Sequence, residues 1–246
     1  MTRSPLAIIA GTGFYDLDAL ENPTHHTLDT AWGQARVTKG EWHGIPVVFL
    51  TRHGEGHSVP PHLINYRANL AALQYIGATR VLALNTVGGI GDAFGPRVLA
   101  CPDQLIDYTW GRISTLCEEP GTEVVHVDFG DPYTMLLRHK IIAAARVTGA
   151  ALVGHGCYGA TQGPRLETKA EIARMRRDGC DLVGMTGMPE AALARELGLD
   201  YACLAIVANW AAGCGTGEEI TMAEVLANVE AASNGLPELI AELARG

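Results

Sequence analysis

Short apolar runs, each stopped by a glycine or a small polar cluster, alternate along the chain with longer segments of helical periodicity. Such runs are typical of strands buried on both faces of a parallel sheet. The predicted strands are residues 6–10, 45–50, 80–85, 181–185 and 201–208, and a further strand is predicted to start with residues 151–153, before the turn at Gly163-Pro164. The predicted helices are residues 65–76, 135–147 and 221–232, with two more beginning at Thr168 and near Pro189. This alternation predicts an α/β fold, with a central mixed, largely parallel sheet flanked by helices, in a single domain spanning residues 1–246.

Several of the predicted strands end in small or polar residues that could bind a ligand. These ends are Gly11-Thr12-Gly13, Arg52-His53-Gly54, Thr86-Val87-Gly88-Gly89, Met185-Thr186-Gly187 and Asn209-Trp210. In open α/β sheets, ligands bind outside the carboxyl ends of the strands. We therefore expect these clusters to converge on one site.

The composition disfavours several classes of function. The 246 residues carry a formal net charge of −9 with only 18 Lys and Arg, whereas a protein that binds a nucleic-acid backbone needs a basic face. No apolar run approaches the roughly 20 residues that span a bilayer, and residues 1–5 lack the start of a signal peptide. The six cysteines form no C-x-x-C pair, so we expect reduced thiols, no metal site and a cytoplasmic location.

Residues 161–171 read TQGPRLETKAE and contain the most informative turn of the chain. A Gly-Pro turn leads to Thr168, which together with Glu171 has the spacing of a capping box at the start of a helix. Glu167 therefore precedes the helix, where its carboxylate can face a pocket.

Groups suited to phosphate stand at the other strand ends. The glycines around Thr12 could present N–H groups to an anion, although a structural turn is the commoner reason for such a pair. Arg52 offers a planar guanidinium fork and His53 a further donor, with a surface salt bridge as the alternative role. Thr86 and Thr186 could donate through their hydroxyl groups, although N-capping is the simpler role for Thr186.

Two further residues have both a structural and a binding interpretation. Asn209 ends the most apolar strand, where an unpaired amide costs about 1–3 kcal/mol. It either braces the backbone or recognises a ligand that offers both a donor and an acceptor. Met222 opens a capped helix, where its thioether either packs in the core or lines an apolar pocket.

Taken together, these segments resemble the trimeric purine nucleoside phosphorylases, and especially their methylthioadenosine phosphorylase branch. The resemblance runs from Ile8 to about Val229, and short motifs carry it: Gly11-Thr12-Gly13, Arg52-His53-Gly54, Asn65-Tyr66, Gly163-Pro164-Arg165, Met185-Thr186 with Pro189-Glu190, and Asn209. It implies the nucleoside phosphorylase fold, a small nucleoside and phosphate as substrates, and no metal or organic cofactor. It also implies a homotrimer, with neither nucleic acid nor membrane as a partner.

The resemblance assigns individual residues. The phosphate-binding positions match Thr12, Arg52, His53, Thr86 and Thr186. The positions around the ribose and base match Met185, Leu166, Glu167 and Asn209, with Leu166 where the family usually has a Phe. The positions beside the 5′ substituent match Met222, Leu226, His57 and Pro61, and His126 matches a residue that a neighbouring subunit contributes. We expect Asn209, Glu167 and His53 to be the catalytic residues.

The departures from the family pattern point to the substrate. Methylthioadenosine phosphorylases carry two aspartates where this chain has Asn209 and Ala211, and a small residue where it has Glu167. A Glu carboxylate can accept the N1–H of a 6-oxopurine, whereas it would face the bare N1 acceptor of adenine. At the 5′ end, Met222 replaces the His with which purine nucleoside phosphorylases bind a hydroxyl, so an apolar methylthio group is favoured.

We therefore expect phosphorolysis of 5′-methylthioinosine to hypoxanthine and 5-methylthioribose 1-phosphate. Three alternatives stay open. They are a general inosine and guanosine phosphorylase, a methylthioadenosine phosphorylase, and a nucleoside-binding protein without turnover.

Overall fold

A computed structural model describes residues 4–13, 20–118, 121–215 and 220–246. The strands are β1 Leu6–Ala10, β2 Glu21–Thr30, β3 Gly33–Trp42, β4 Ile45–Thr51, β5 Arg80–Gly89, β6 Leu99–Ala100, β7 Gln104–Asp107, β8 Leu152–Val153, β9 Cys157–Ala160, β10 Leu182–Gly184 and β11 Asp200–Trp210. The α-helices are α1 Tyr66–Tyr75, α2 Met135–Thr148, α3 Lys169–Asp178, α4 Gly187–Glu196, α5 Met222–Ser233 and α6 Leu236–Arg245. Glu55–His57 and Pro61–Leu63 form short 3₁₀ turns.

The described strands form one mixed sheet of 11 strands. Its centre is parallel: β1 pairs with β4 and β5, and β11 pairs with β5. The end of β5 pairs antiparallel with β10, which places Val183 opposite Gly88, and β9 and β7 then continue the sheet in parallel with β10. The predicted α/β fold with a mixed, largely parallel sheet is confirmed.

Both faces of the central strands are buried, which explains why those strands are continuously apolar rather than alternating. In β1, Ala7 and Ile9 pack on one face, in the cluster that also buries α1 and α4. Leu6, Ile8 and Ala10 pack on the other face, in the cluster that buries α2, α5 and α6. Every residue of β1 is at most 1% exposed.

Two predicted strands extend further than their apolar runs indicate. β5 continues to Gly89 and β11 to Trp210, because the two strands stay paired along nearly their whole length. Thr86 and Asn209 therefore lie inside strands and not in the loops that follow them. This is a correction to the predicted ends, and it makes both side chains part of a rigid element.

The hairpin of β2 and β3 and the last helix, α6, were not predicted from the sequence. β2 and β3 form an antiparallel hairpin at the sheet edge, and β2 is mostly exposed, so it lacks the apolar signal of a strand. Pro23 within β2 is compatible with an edge position, where no ladder N–H is needed. α6 is strongly amphipathic, with Leu236, Leu239 and Ile240 buried, and its periodicity would have sufficed to predict it.

Candidate active site

A cavity of about 350 Å³ lies where the predicted strand ends meet. It is lined by Gly11, Thr12, Arg52, His53, His57, Pro61, Thr86, Val87, Gly88, Pro164, Leu166, Glu167, Val183, Gly184, Met185, Thr186, Asn209, Ala211, Ala212, Ile220, Met222 and Val225. The segments after β1, β4 and β10 and the ends of β5 and β11 all contribute to this lining. The expected convergence of the clusters is therefore observed.

Two of the predicted site residues do not line the cavity. Leu226 lies on α5 but is 48% exposed, and the preceding residue, Val225, faces the cavity in its place. His126 lies in an exposed stretch without helix or strand, outside the cavity of its own chain. Its placement in a neighbouring subunit's site stays a prediction.

Arg52 is buried at the floor of the cavity and is held on several sides. Its Nε and Nη2 donate to the two carboxylate oxygens of Glu190, at 2.7 and 2.8 Å, and Nη1 donates to the carbonyl of Leu84 at 3.0 Å. The ion pair is therefore buried, not the surface salt bridge considered above. Burial opposes the charge of Arg52, but Glu190 outweighs burial and the pKa of Arg52 is raised.

Gly11 leaves the guanidinium open to the cavity. A Cβ at this position would lie 2.7 Å from the carbonyl oxygen of Leu84 and 3.1 Å from Nη1 of Arg52. The bonds to Glu190 and Leu84 leave one N–H of Nη1 uncommitted among the described residues. That N–H is the group with which Arg52 can bind an anion directly.

The two threonine hydroxyl groups are oriented differently. Thr186 makes no capping bond to α4, which contradicts its simpler predicted role. Its Oγ1 instead accepts a bond from Nδ2 of the buried Asn85 at 2.9 Å, which leaves the hydroxyl proton for a ligand. The hydroxyl of Thr86 donates to the carbonyl of Thr12 at 2.7 Å, so Thr86 holds the loop after β1 against β5.

His53 is a neutral acceptor in this geometry. Its Nδ1 lies 2.9 Å from the carbonyl oxygen of Val59, and since a carbonyl can only accept, Nδ1 carries the proton. Burial, aided by Arg52 and His57 and opposed by the bond to Val59, lowers the pKa of His53 to about 4. Nε2 is then unprotonated near neutral pH. It can accept a bond from a protonated oxygen of a phosphate, where the sequence suggested a donor.

This lowered pKa predicts a pH-dependent loss of stability. Between the ordinary pKa of 6.5 and a pH of about 4, the unfolded chain binds a proton at His53 and the folded protein does not. Stability is therefore lost as the pH falls through this window, at about 1.4 kcal/mol per unit of pKa difference at most. In urea unfolding at about pH 7 and about pH 5, we expect His53→Asn to lose less stability than the wild type. Equal losses would show that His53 does not titrate this way.

Glu167 stands before α3 as predicted, and Thr168 and Glu171 form the complete capping box. The hydroxyl of Thr161 donates to Oε1 of Glu167 at 2.5 Å. This bond fixes one carboxylate oxygen and leaves Oε2 to accept from a ligand in the cavity. Leu166 is 51% exposed at the cavity mouth.

Asn209 has donor and acceptor capacity left for a ligand. Its Nδ2 donates to the carbonyl of Trp210 at 2.7 Å, which uses one of two amide N–H groups and neither lone pair of Oδ1. The partly buried amide therefore both braces the backbone and faces the cavity. The bracing role of Asn209 is therefore observed, and its recognition of a ligand stays a prediction.

The residues that line the cavity from the start of α5 are apolar. Met222, the first residue of α5, is 63% exposed and lies at the cavity wall with Val225 and Ile220. Met222 is thus not a core residue, and the binding interpretation fits its position better. The ring of His57 lies against that of His53, with the centroids 4.5 Å apart and the ring planes tilted by 33°.

Arg112 is a structural residue of the site for which the sequence gives no signal. It lies in the irregular segment after β7 and donates to the backbone carbonyls of Gln162 at 2.7 Å, Met185 at 2.8 Å and Met188 at 2.6 Å. One side chain therefore joins the segments that carry Glu167 and Met185. These partners lie 50 to 76 residues away from Arg112 in sequence.

A larger cavity, of about 490 Å³, also touches Glu167. Its charged residues include Arg165 and Glu171, which pair with each other at 2.7 Å. It lacks Arg52, His53 and Asn209. The smaller cavity therefore holds the groups suited to chemistry.

The fold is that of an α/β nucleoside phosphorylase. The chain belongs to the phosphorylase superfamily, whose family model matches residues 5–245.

Named relatives agree with this membership. A protein of Xanthomonas campestris pv. campestris named probable S-methyl-5′-thioinosine phosphorylase is 74% identical, over 98% of this chain and 97% of its own length. The 6-oxopurine nucleoside phosphorylase of Pyrococcus furiosus is 44% identical, over 96% of this chain and 90% of its own. A structure of methylthioadenosine phosphorylase from Schistosoma mansoni with adenine superposes with a TM-score of 0.93 at 29% identity, covering 99% of this chain and 91% of that one.

The described residues contain neither a cluster of potential metal ligands nor a membrane-spanning helix. Within these residues, no three or more His, Cys, Asp or Glu side chains are grouped so as to hold a metal ion. None of the helices in the described ranges has both the length and the apolarity to cross a membrane.

Proposed function

We propose that this protein catalyses the phosphorolysis of 5′-methylthioinosine, giving hypoxanthine and 5-methylthioribose 1-phosphate. The observation that carries the proposal is one cavity with three kinds of lining: Arg52 and His53, Glu167 and Asn209, and the apolar wall around Met222. The first suits an anion, the second a 6-oxopurine and the third an alkylthio group.

The base would be read by a carboxylate and an amide. Oε2 of Glu167 accepts the N1–H of hypoxanthine, while Asn209 donates to O6 and accepts from N7–H. Adenine presents an unprotonated N1, which would leave two acceptors facing each other. A site built to hydrogen-bond one group can reject its analogue by about 10⁴ in favourable cases.

The reaction would need positioning and electrostatics from this chain, with no metal or organic cofactor. An oxygen of hydrogen phosphate attacks C1′ as the bond from C1′ to N9 breaks, and the ribose passes through an oxocarbenium-like state. The proton that the hydrogen phosphate loses balances the proton that the departing purine gains at N7. Thr12, Arg52 and Thr186 hold the phosphate beneath the sugar, which orients the attack. Asn209 stabilises the negative charge that grows on the departing purine.

The relatives support the same substrate class and leave a second candidate. The Xanthomonas campestris protein is named for methylthioinosine and the Pyrococcus furiosus protein for 6-oxopurine nucleosides. A general inosine and guanosine phosphorylase is therefore the second candidate. Met222 weighs against it, since a thioether is only a weak hydrogen-bond partner for a 5′-hydroxyl.

The test is base release from inosine, guanosine, methylthioinosine and methylthioadenosine, with and without phosphate. We expect the highest kcat/KM with methylthioinosine, and release only when phosphate is present. A nucleoside-binding protein would release no base, and a hydrolase would not require phosphate.

Met222→His tests the 5′ end alone. An imidazole at the start of α5 can bond a 5′-hydroxyl and removes apolar contact with a methylthio group. We expect the ratio of kcat/KM for inosine to that for methylthioinosine to rise by about 10-fold or more. Leu226→His is a matched control on the same helix, since Leu226 does not line the cavity. An unchanged ratio in Met222→His would mean that the 5′ group binds elsewhere.

The assembly and location are also proposals. We propose a cytoplasmic homotrimer in which His126 reaches the site of a neighbouring subunit, because the resemblance places it there and His126 is exposed in its own chain. Sedimentation would give the oligomeric state, and mixing His126→Ala with an inactive subunit would test the sharing.

A further inference from the structure

β11 contains an irregularity immediately before Asn209. Val207 pairs with Val87 and Asn209 pairs with the next residue, Gly88, so Ala208 is an extra residue in the strand. Side chains alternate along a strand, and one inserted residue moves the following side chain to the other face. Without the insertion, Asn209 would lie opposite Gly89 and point away from the face that carries Thr86.

The bulge is held from outside the sheet by α5. The carbonyl of Ala208 accepts a bond at 2.8 Å from Nδ2 of Asn228, which is 6% exposed. Oδ1 of Asn228 accepts in turn from Nε of Arg97, also at 2.8 Å. The backbone N–H of Arg97 donates to the carbonyl of Val207 at 2.7 Å. Asn228 and Arg97 thus bind the two carbonyls that precede Asn209.

We propose that Asn228 is a positioning residue for base recognition. It acts by fixing the bulge that directs Asn209 into the cavity. The inference rests on the proposed function, in which Asn209 reads the purine. An amide suits this position because it donates to a carbonyl and accepts from a guanidinium at once. Asn228 touches no substrate itself, since it does not line the cavity.

The same helix carries the apolar wall. Met222 and Val225 line the cavity from the first turns of α5, and Asn228 follows within the helix. The bond from Asn228 to Ala208 therefore ties the wall at the 5′ end to the strand that reads the base. A shift of α5 relative to β11 would change both ends of the nucleoside site together.

The variant Asn228→Asp separates the two bonds of the amide. It keeps an acceptor for Arg97 and replaces the donor to Ala208 with an oxygen, which repels the carbonyl. We expect kcat/KM for methylthioinosine to fall by about 10-fold, with KM for phosphate changed by less than about 2-fold. Asn234→Asp makes the same chemical change at the exposed end of α5, and we expect it to leave both constants unchanged.

A double-mutant cycle with Asn209→Ala decides whether Asn228 acts through Asn209. If it does, Asn228→Asp lowers kcat/KM by less than about 2-fold when Asn209 is already alanine. A loss of the same size in both backgrounds would overturn the inference. A rise in KM for phosphate in Asn228→Asp as large as the fall in kcat/KM would also overturn it. Should Asn228→Asp not fold, Asn228→Gln, which moves the uncharged amide by one methylene, takes its place in the cycle.

The cycle also separates this inference from the function on which it rests. A wild-type protein that releases no base with phosphate refutes the proposed function, and the inference with it. A wild type that turns over methylthioinosine while the two substitutions act independently refutes the positioning role alone.

Discussion

Glu167→Gln is expected to lower kcat/KM for methylthioinosine by roughly 100-fold or more. The amide oxygen can still accept the bond from Thr161, which occupies Oε1 in the wild type. The amide nitrogen would replace Oε2 and place an N–H donor against the N1–H of hypoxanthine. Two donors then face each other in a partly buried site.

The same substitution should favour the other purine. The new N–H can donate to the unprotonated N1 of adenine, so we expect kcat/KM for methylthioadenosine to stay level or rise. The measurement is the ratio of the two constants in each protein. Glu171→Gln is the matched control, because Glu171 is in the same segment but bonds Arg165 and the backbone of Thr168. A ratio that shifts equally in both variants would remove Glu167 from base recognition.

Glu190→Gln is expected to lower the free energy of unfolding by about 3–5 kcal/mol, because it leaves the buried charge of Arg52 without its counterion. For a chain of this length that corresponds to a fall in Tm of roughly 6–20 °C. The carboxylate also accepts a bond from the hydroxyl of Tyr201 at 2.8 Å, so the loss extends beyond one pair. Thermal and urea unfolding measure the effect.

A surface pair provides the comparison. Arg67 and Glu118 lie 2.8 Å apart with Glu118 about half exposed, and Glu118→Gln should cost less than about 1 kcal/mol. Removing both buried charges, as Arg52→Met with Glu190→Leu, should restore much of the stability without restoring turnover with phosphate. A Glu190→Gln variant as stable as Glu118→Gln would mean that the buried pair is not needed for folding.

The fold was largely predictable because its central strands are buried on both faces. That burial makes 6–10, 45–50 and 201–208 continuously apolar, and the polar clusters after them mark one edge of the sheet. The hairpin of β2 and β3 was not predictable by the same means, since β2 faces solvent and carries no periodic apolar pattern.

Some residues of the candidate site could likewise be predicted from the sequence and others could not. Arg52, Glu167 and Asn209 stand at strand ends and turns, where local sequence already indicates a ligand-facing position. The residues that support them do not stand at positions that local sequence indicates. Glu190 is 138 residues from Arg52, and Asn228 is 20 residues beyond the carbonyl that it holds. Nothing in the apolar sequence before Asn209 indicates a bulge, so the orientation of its side chain required the three-dimensional structure.

Base recognition by Glu167 and Asn209 is tested most directly by the ratio of kcat/KM for methylthioinosine to kcat/KM for methylthioadenosine, measured on the wild-type protein at one phosphate concentration. A carboxylate and an amide that together read a 6-oxopurine predict a ratio of about 100 or more. A ratio near one, or below it, would contradict the assignment of Glu167 and Asn209 to the base.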